Sequence, residues 1–102
     1  MRIVALVGDL MDRSRILAAV PDAEFVTGAV GTADADVVIV DLGRFDNLLV
    51  DVRSAAPAAR IVAYGSHVED AVLDRARDEG ADLVLPRSRF FRDPRAHLAP
   101  PP

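Results

Sequence analysis

The 102-residue sequence predicts a three-layer α/β sandwich built on a parallel sheet. Two observations carry this expectation. Short apolar runs rich in β-branched residues recur along the chain, each closing at a polar residue or glycine, and between them the apolar spacing becomes helical. Strands covered on both faces lack the in/out alternation of a half-solvated sheet, and parallel strands joined by helices give this pattern. A third observation, the absence of cysteine, removes disulfide frameworks and thiolate metal sites from consideration.

The elements follow in order. Ile3 to Val7 is the first strand, and Asp9 is placed to cap a helix from about Met11 to Ala19, marked by Ile16, Leu17 and Val20 and closed by Pro21. Glu24 to Val26 is a weaker strand with an edge character. Thr27 to Ala35, interrupted by Gly28 and Gly31, has room for one helical turn at most, so one crossover helix is missing or vestigial. Val37 to Val40 is the third strand. Phe45, Leu48, Leu49, Val52 and Ala56 then form one helical stripe that stops at Pro57. After the fourth strand, Ile61 to Tyr64, Ser66 and Glu69 form a capping box, Val68, Val72, Leu73 and Ala76 an apolar face, and Gly80 a C-cap. Leu83 to Leu85 is the fifth strand, and Pro94 can open a short last helix to about Leu98. Strands alternating with helices in this way imply right-handed βαβ units within a single domain, residues 1–99, followed by a frayed Pro-rich tail, residues 100–102.

Composition narrows the function. With 51% hydrophobic and 27% charged residues, the chain can bury one core and is too short for two. A net charge of −4 and the lack of any basic run argue against direct nucleic-acid binding, which needs cations to neutralise phosphates. All 12 basic residues are arginine, a bias read as one of composition and assigned no function. No apolar stretch is long enough to span a bilayer, so no membrane partner and a cytoplasmic location are expected. The sequence offers no Gly-rich phosphate loop, catalytic triad or metal-ligand spacing, and the chain is not expected to be an enzyme.

In an open parallel sheet, ligands sit beyond the carboxyl ends of the strands. Gly8 and Asp9 follow the first strand, Asp41 the third, Gly65, Ser66 and His67 the fourth, Arg87 and Ser88 the fifth. Two carboxylates, a hydroxyl and a guanidinium thereby converge on one rim.

Three stretches on that rim, VALVGDLMDRSRIL (4–17), ADVVIVDLG (35–43) and EGADLVLPRSRF (79–90), resemble the receiver domain of two-component response regulators in a shortened, degenerate form. The resemblance implies a flavodoxin-like fold with strand order 2-1-3-4-5. It matches Asp41 to the phosphoacceptor and Asp9 to the second member of the acidic pair that holds Mg²⁺. Gly8 stands at the first acid of that pair, Gly65 at the switch Ser/Thr position with Ser66 one residue late, and Arg87 at the family's lysine, with Ser88 in place of the proline after it. The Met-Pro pair after the phosphoacceptor is absent from Leu42-Gly43-Arg44-Phe45. An aspartate attacks a phosphoryl group poorly unless a divalent ion and a cationic side chain screen the repulsion between two anions. The resemblance therefore implies a stand-alone pseudo-receiver, a signalling or interaction module not efficiently phosphorylated. No cofactor is expected; Mg²⁺, held by Asp9 and Asp41, enters only if the phosphoacceptor chemistry operates. Two alternatives stay open: a phosphorylatable receiver using Asp41, and a binder of small anions held at the rim by Arg87 and the helix N-termini.

Each residue also has a structural role open to it. Asp9 and Ser66 can cap helices, Asp41 and Arg87 can form a structural ion pair, and His67 can face solvent in a first helical turn. Arg87, Arg89, Arg92 and Arg95 can form a solvated rim. Phe90 and Phe91, flanked by arginines, suit an interface with a protein partner or a second copy of the chain, or else tuck under the last helix.

Overall fold

In the computed structural model, which describes residues 1–66 and 70–100, five parallel strands run in the order β2-β1-β3-β4-β5. They are β1 (Ile3–Leu6), β2 (Glu24–Phe25), β3 (Val37–Asp41), β4 (Arg60–Gly65) and β5 (Leu83–Pro86). The register sets Leu6 beside Val40, Asp41 beside Tyr64 and Gly65 beside Pro86. The carboxyl ends of the central strands therefore align along one edge.

Alternate strand residues feed two apolar layers. Val38, Val40, Ile61 and Ala63 pack with Leu49, Val52, Leu73 and Ala76 on one face, while Val37, Ile39, Val62 and Tyr64 pack with Ile16, Phe90 and Leu98 on the other. The first face is covered by α3 (Leu49–Ala55) and α4 (Asp70–Asp78), the second by α1 (Leu10–Ala19) and α5 (Arg87–Arg92). Burial on both sides is what the continuous β-branched runs require.

Two connections differ from expectation and a third agrees with it. The single helix expected over Phe45 to Ala56 is broken into α2 (Leu42–Phe45), a 3₁₀ turn (Asp46–Leu48) and α3. Asp46 and Asn47 interrupt it: short polar side chains compete for backbone partners, and the Asp46 carboxylate is drawn to Arg75 of α4 at 2.8 Å. After β5, α5 starts at once at Arg87, and Pro94 opens only a 3₁₀ turn (Pro94–His97). Between β2 and β3 the crossover is reduced to a 3₁₀ turn (Ala29–Thr32) packed on α3, as the glycines there predict. Glu69 of the proposed capping box, His67 and Val68 of the expected apolar face lie outside the described residues, as do Pro101 and Pro102 of the expected tail.

The far end of α4 closes as predicted. Gly80 has φ 115°, its N–H donates to the Arg77 carbonyl at 3.3 Å, and the Ala81 N–H donates to the Ala76 carbonyl at 3.1 Å. This is a Schellman motif, which needs a left-handed residue. Arg53 of α3 ties that turn to the sheet, donating to the carbonyls of Gly80 (2.7 Å) and Ala59 (2.8 Å) and to the Asp82 carboxylate (2.7 Å). Among the described residues no helix is long and apolar enough to cross a membrane.

Candidate functional site

Asp9, Asp41, Ser66 and Arg87 lie at or just beyond the carboxyl ends of β1, β3, β4 and β5, on one rim. Asp9 is exposed and caps α1, its Oδ1 accepting the Asp12 backbone N–H at 3.0 Å. Asp41 is half-buried and caps α2 in the same way, its Oδ1 accepting the Gly43 N–H at 2.9 Å. Burial raises the Asp41 carboxyl above its ordinary pKa, against the opposing pull of the Gly43 hydrogen bond.

The expected Asp41–Arg87 ion pair is not formed. Arg87 instead grips Asp12, its Nη1 and Nη2 donating to the two carboxylate oxygens. Asp12 is 0% exposed, and its Oδ2 also accepts the Tyr64 hydroxyl at 3.0 Å. Such a buried carboxylate is tolerated only when charge and lone pairs are both satisfied. The Arg87 hydrogen bond holds the Asp12 carboxyl below its usual range, outweighing the burial that opposes it. The same bond raises Arg87, and burial raises Tyr64.

Aromatic rings support this pair. Tyr64 stacks on Phe90 with centroids 4.9 Å apart, Phe91 meets both rings edge-on at 5.0 Å, and the Arg87 guanidinium lies 4.9 Å from the Phe91 centroid. Phe90 is 0% exposed, which corrects its placement at an interface: it is a core residue on the inner face of α5. Phe91 is half-buried. Among the described residues the large exposed apolar side chains are Met1, Leu10, Met11 and Leu17 at the start of the chain and on α1, with Val30 and Val50 elsewhere.

At the start of the rim, a Cβ on Gly8 would lie 2.7 Å from Arg44 Cδ and 3.0 Å from its Nε. The Arg44 side chain thus fills the space that an acid at position 8 would use. Among the described residues no three Asp, Glu or His side chains gather as a metal would need. The carboxylates near this point, Asp9 and Asp41, each already accept a backbone N–H.

A separate cleft of about 400 Å³ opens beside Arg87, lined by Arg15, Ser66, Arg87, Ser88 and Phe91. Asp12, Arg15, Arg44 and Tyr64 were not singled out from the sequence. Asp12 alone carried a usable signal: with Ile16 and Val20 it forms an i, i+4, i+8 stripe, all three fully buried, so an acid stood on the inward face of a helix.

No family model and no curated protein matches the chain. Solved structures do. A response regulator from Burkholderia pseudomallei, solved with a phosphorylated aspartic acid, calcium and citrate, superposes with a TM-score of 0.74 at 18% identity, over 97% of this chain and 67% of that one. A response regulator from Hahella chejuensis gives 0.72 at 20% identity over 89% and 86%. A CheY-like protein, TadZ, from Pseudomonas aeruginosa gives 0.69 at 16% over 86% and 87%. The fold is that of response-regulator receiver domains.

Proposed function

We propose that the chain is a pseudo-receiver: a non-enzymatic signalling module that works in the cytoplasm by contact with a protein partner or a second copy of itself, and in which Asp41 is not efficiently phosphorylated. The observation that carries this reading is the commitment of Arg87 to Asp12. In a working receiver the cation at this position serves the phosphoacceptor. Here its guanidinium is bonded to the buried carboxylate of Asp12 and forms no ion pair with Asp41.

The surroundings of Asp41 support the same reading. Phosphoryl transfer to a carboxylate brings two anions together, so its barrier falls only when cations screen both. With Gly8 in place of an acid and Arg44 lying over it, the donors present do not fit a divalent ion, which prefers several hard oxygen ligands. No step through Mg²⁺ is therefore assigned to Asp9 or Asp41.

The test is incubation with acetyl phosphate and Mg²⁺, followed by mass spectrometry and backbone-amide NMR with beryllofluoride. The pseudo-receiver predicts an unmodified mass and unmoved amides at residues 41–45. A phosphorylated species and saturable shifts there, both abolished in Asp41→Asn, would establish the alternative of a phosphorylatable receiver.

A further inference from the structure

We propose that the cleft between α1 and α5 is a binding site for a small organic acid, an oxyanion carried on a compact apolar body. This site is separate from Asp41, so the proposal does not depend on whether that residue is ever phosphorylated.

Charge is the first argument. Arg15 and Arg87 both line the cleft, whereas Asp12 is buried beneath and already bonded to Arg87. Arg15 is exposed and forms no ion pair among the described residues. Two guanidiniums and, among the described residues, no carboxylate line the cleft, on a chain whose net charge is −4. Such a local reversal of sign concentrates anions where the rest of the surface repels them.

Donor geometry is the second. A guanidinium presents five N–H donors in a rigid fork. Asp12 takes one from each Nη of Arg87, which leaves three that this carboxylate does not engage. The bidentate pair fixes Arg87 in orientation, so it meets a ligand with little further loss of side-chain freedom. Arg15 supplies a second fork from the facing helix, and Ser88 adds a hydroxyl to the rim.

Shape and surface select the rest of the ligand. The cleft, at about 400 Å³, falls in the range of small-molecule pockets, roughly 300–1,000 Å³, and exceeds what a bare oxyanion fills. Its apolar wall is the Phe91 ring, held edge-on against Tyr64 and Phe90 and flanked by both guanidiniums, at 4.9 Å for Arg87 and 5.7 Å for Arg15. With both guanidiniums over the ring, a compact apolar body can meet the exposed part of Phe91 while its oxyanion meets the arginines. Arg15 is thus assigned as a ligand-binding residue and Phe91 as the residue that selects for the body.

The full chain, ¹⁵N-labelled, is titrated at constant ionic strength with benzoate, phenyl phosphate and inorganic phosphate. Saturable shifts confined to the amides around Arg15, Ser66, Ser88 and Phe91 are expected with benzoate or phenyl phosphate, the tighter of the two distinguishing a carboxylate from a phosphate ester. Inorganic phosphate should bind more weakly than either. Arg15→Gln, at an exposed position, should weaken binding at least tenfold, and Arg92→Gln should leave it unchanged. Linear drift spread over all exposed arginines, affinity unaltered in Arg15→Gln, or inorganic phosphate binding as tightly as phenyl phosphate would overturn the proposal.

Discussion

Arg87 and Asp12 lie 75 positions apart in the sequence, yet the guanidinium at the end of β5 closes on the carboxylate of α1 with both of its terminal nitrogens. Tyr64, from the strand between, adds its hydroxyl to the same carboxylate. This pairing joins α1, β4 and α5 across one face of the sheet. It also shapes the rim, because the guanidinium bonded to Asp12 forms no ion pair with Asp41.

Acid should dissolve this link in a defined window. The Asp12 carboxyl is lowered in the folded chain, against about 3.9 when unfolded, so protons favour the unfolded state. Its stabilisation is complete above the unfolded value and is lost as pH falls through the folded one. Urea midpoints measured from pH 6 downward should fall more steeply for the native sequence than for Asp12→Asn. Parallel profiles would contradict the pairing.

Asp41 should behave in the opposite sense. Its carboxyl is raised by burial in the folded chain, so its charge opposes folding at neutral pH and the penalty fades as pH falls through the raised value. Asp41→Asn keeps an oxygen for the Gly43 N–H and should stabilise the protein at pH 7. The gain should vanish near pH 4. A loss of stability at pH 7 would show that the Asp41 charge is compensated.

The two adjacent phenylalanines should separate sharply in thermal or urea unfolding. Phe90→Ala removes a ring fully buried against Tyr64 and should cost about 3–5 kcal/mol. Phe91→Ala, at a half-buried position, should cost no more than about 2 kcal/mol. Equal costs would contradict the packing described.

Gly80→Ala should destabilise by about 1–2 kcal/mol, because a residue with φ 115° is left-handed and an added Cβ would press on Arg53 Cγ at 3.1 Å. Denaturant unfolding measures this directly, and a neutral substitution would contradict the turn assignment.

Much of the fold was legible because it follows from burial on two faces. The runs 37–40 and 61–64 had to be interior strands, and Gly80 had to end a helix. The glycines between Thr27 and Ala35 announced a reduced crossover. Phe45 to Ala56 misled because its apolar stripe continues through a backbone break made by Asp46 and its distant partner Arg75, which no local period records. The candidate site was legible as a rim, since parallel strands deliver their ends together, but its pairing was not. Asp41 and Asp12 were both available to Arg87, and the choice turns on side-chain reach and on the Tyr64 hydroxyl. Arg44 over Gly8 is likewise a contact of tertiary structure, invisible in spacing.

The most direct measurement is a pair of double-mutant cycles on folding stability at pH 7, one combining Arg87→Gln with Asp12→Asn and the other combining Arg87→Gln with Asp41→Asn. The first should return a coupling energy of about 1.5 kcal/mol or more, within the range for groups in direct contact, and the second should be additive to within about 0.5 kcal/mol. A larger coupling to Asp41 than to Asp12 would return the cation to the phosphoacceptor position and contradict the pseudo-receiver reading.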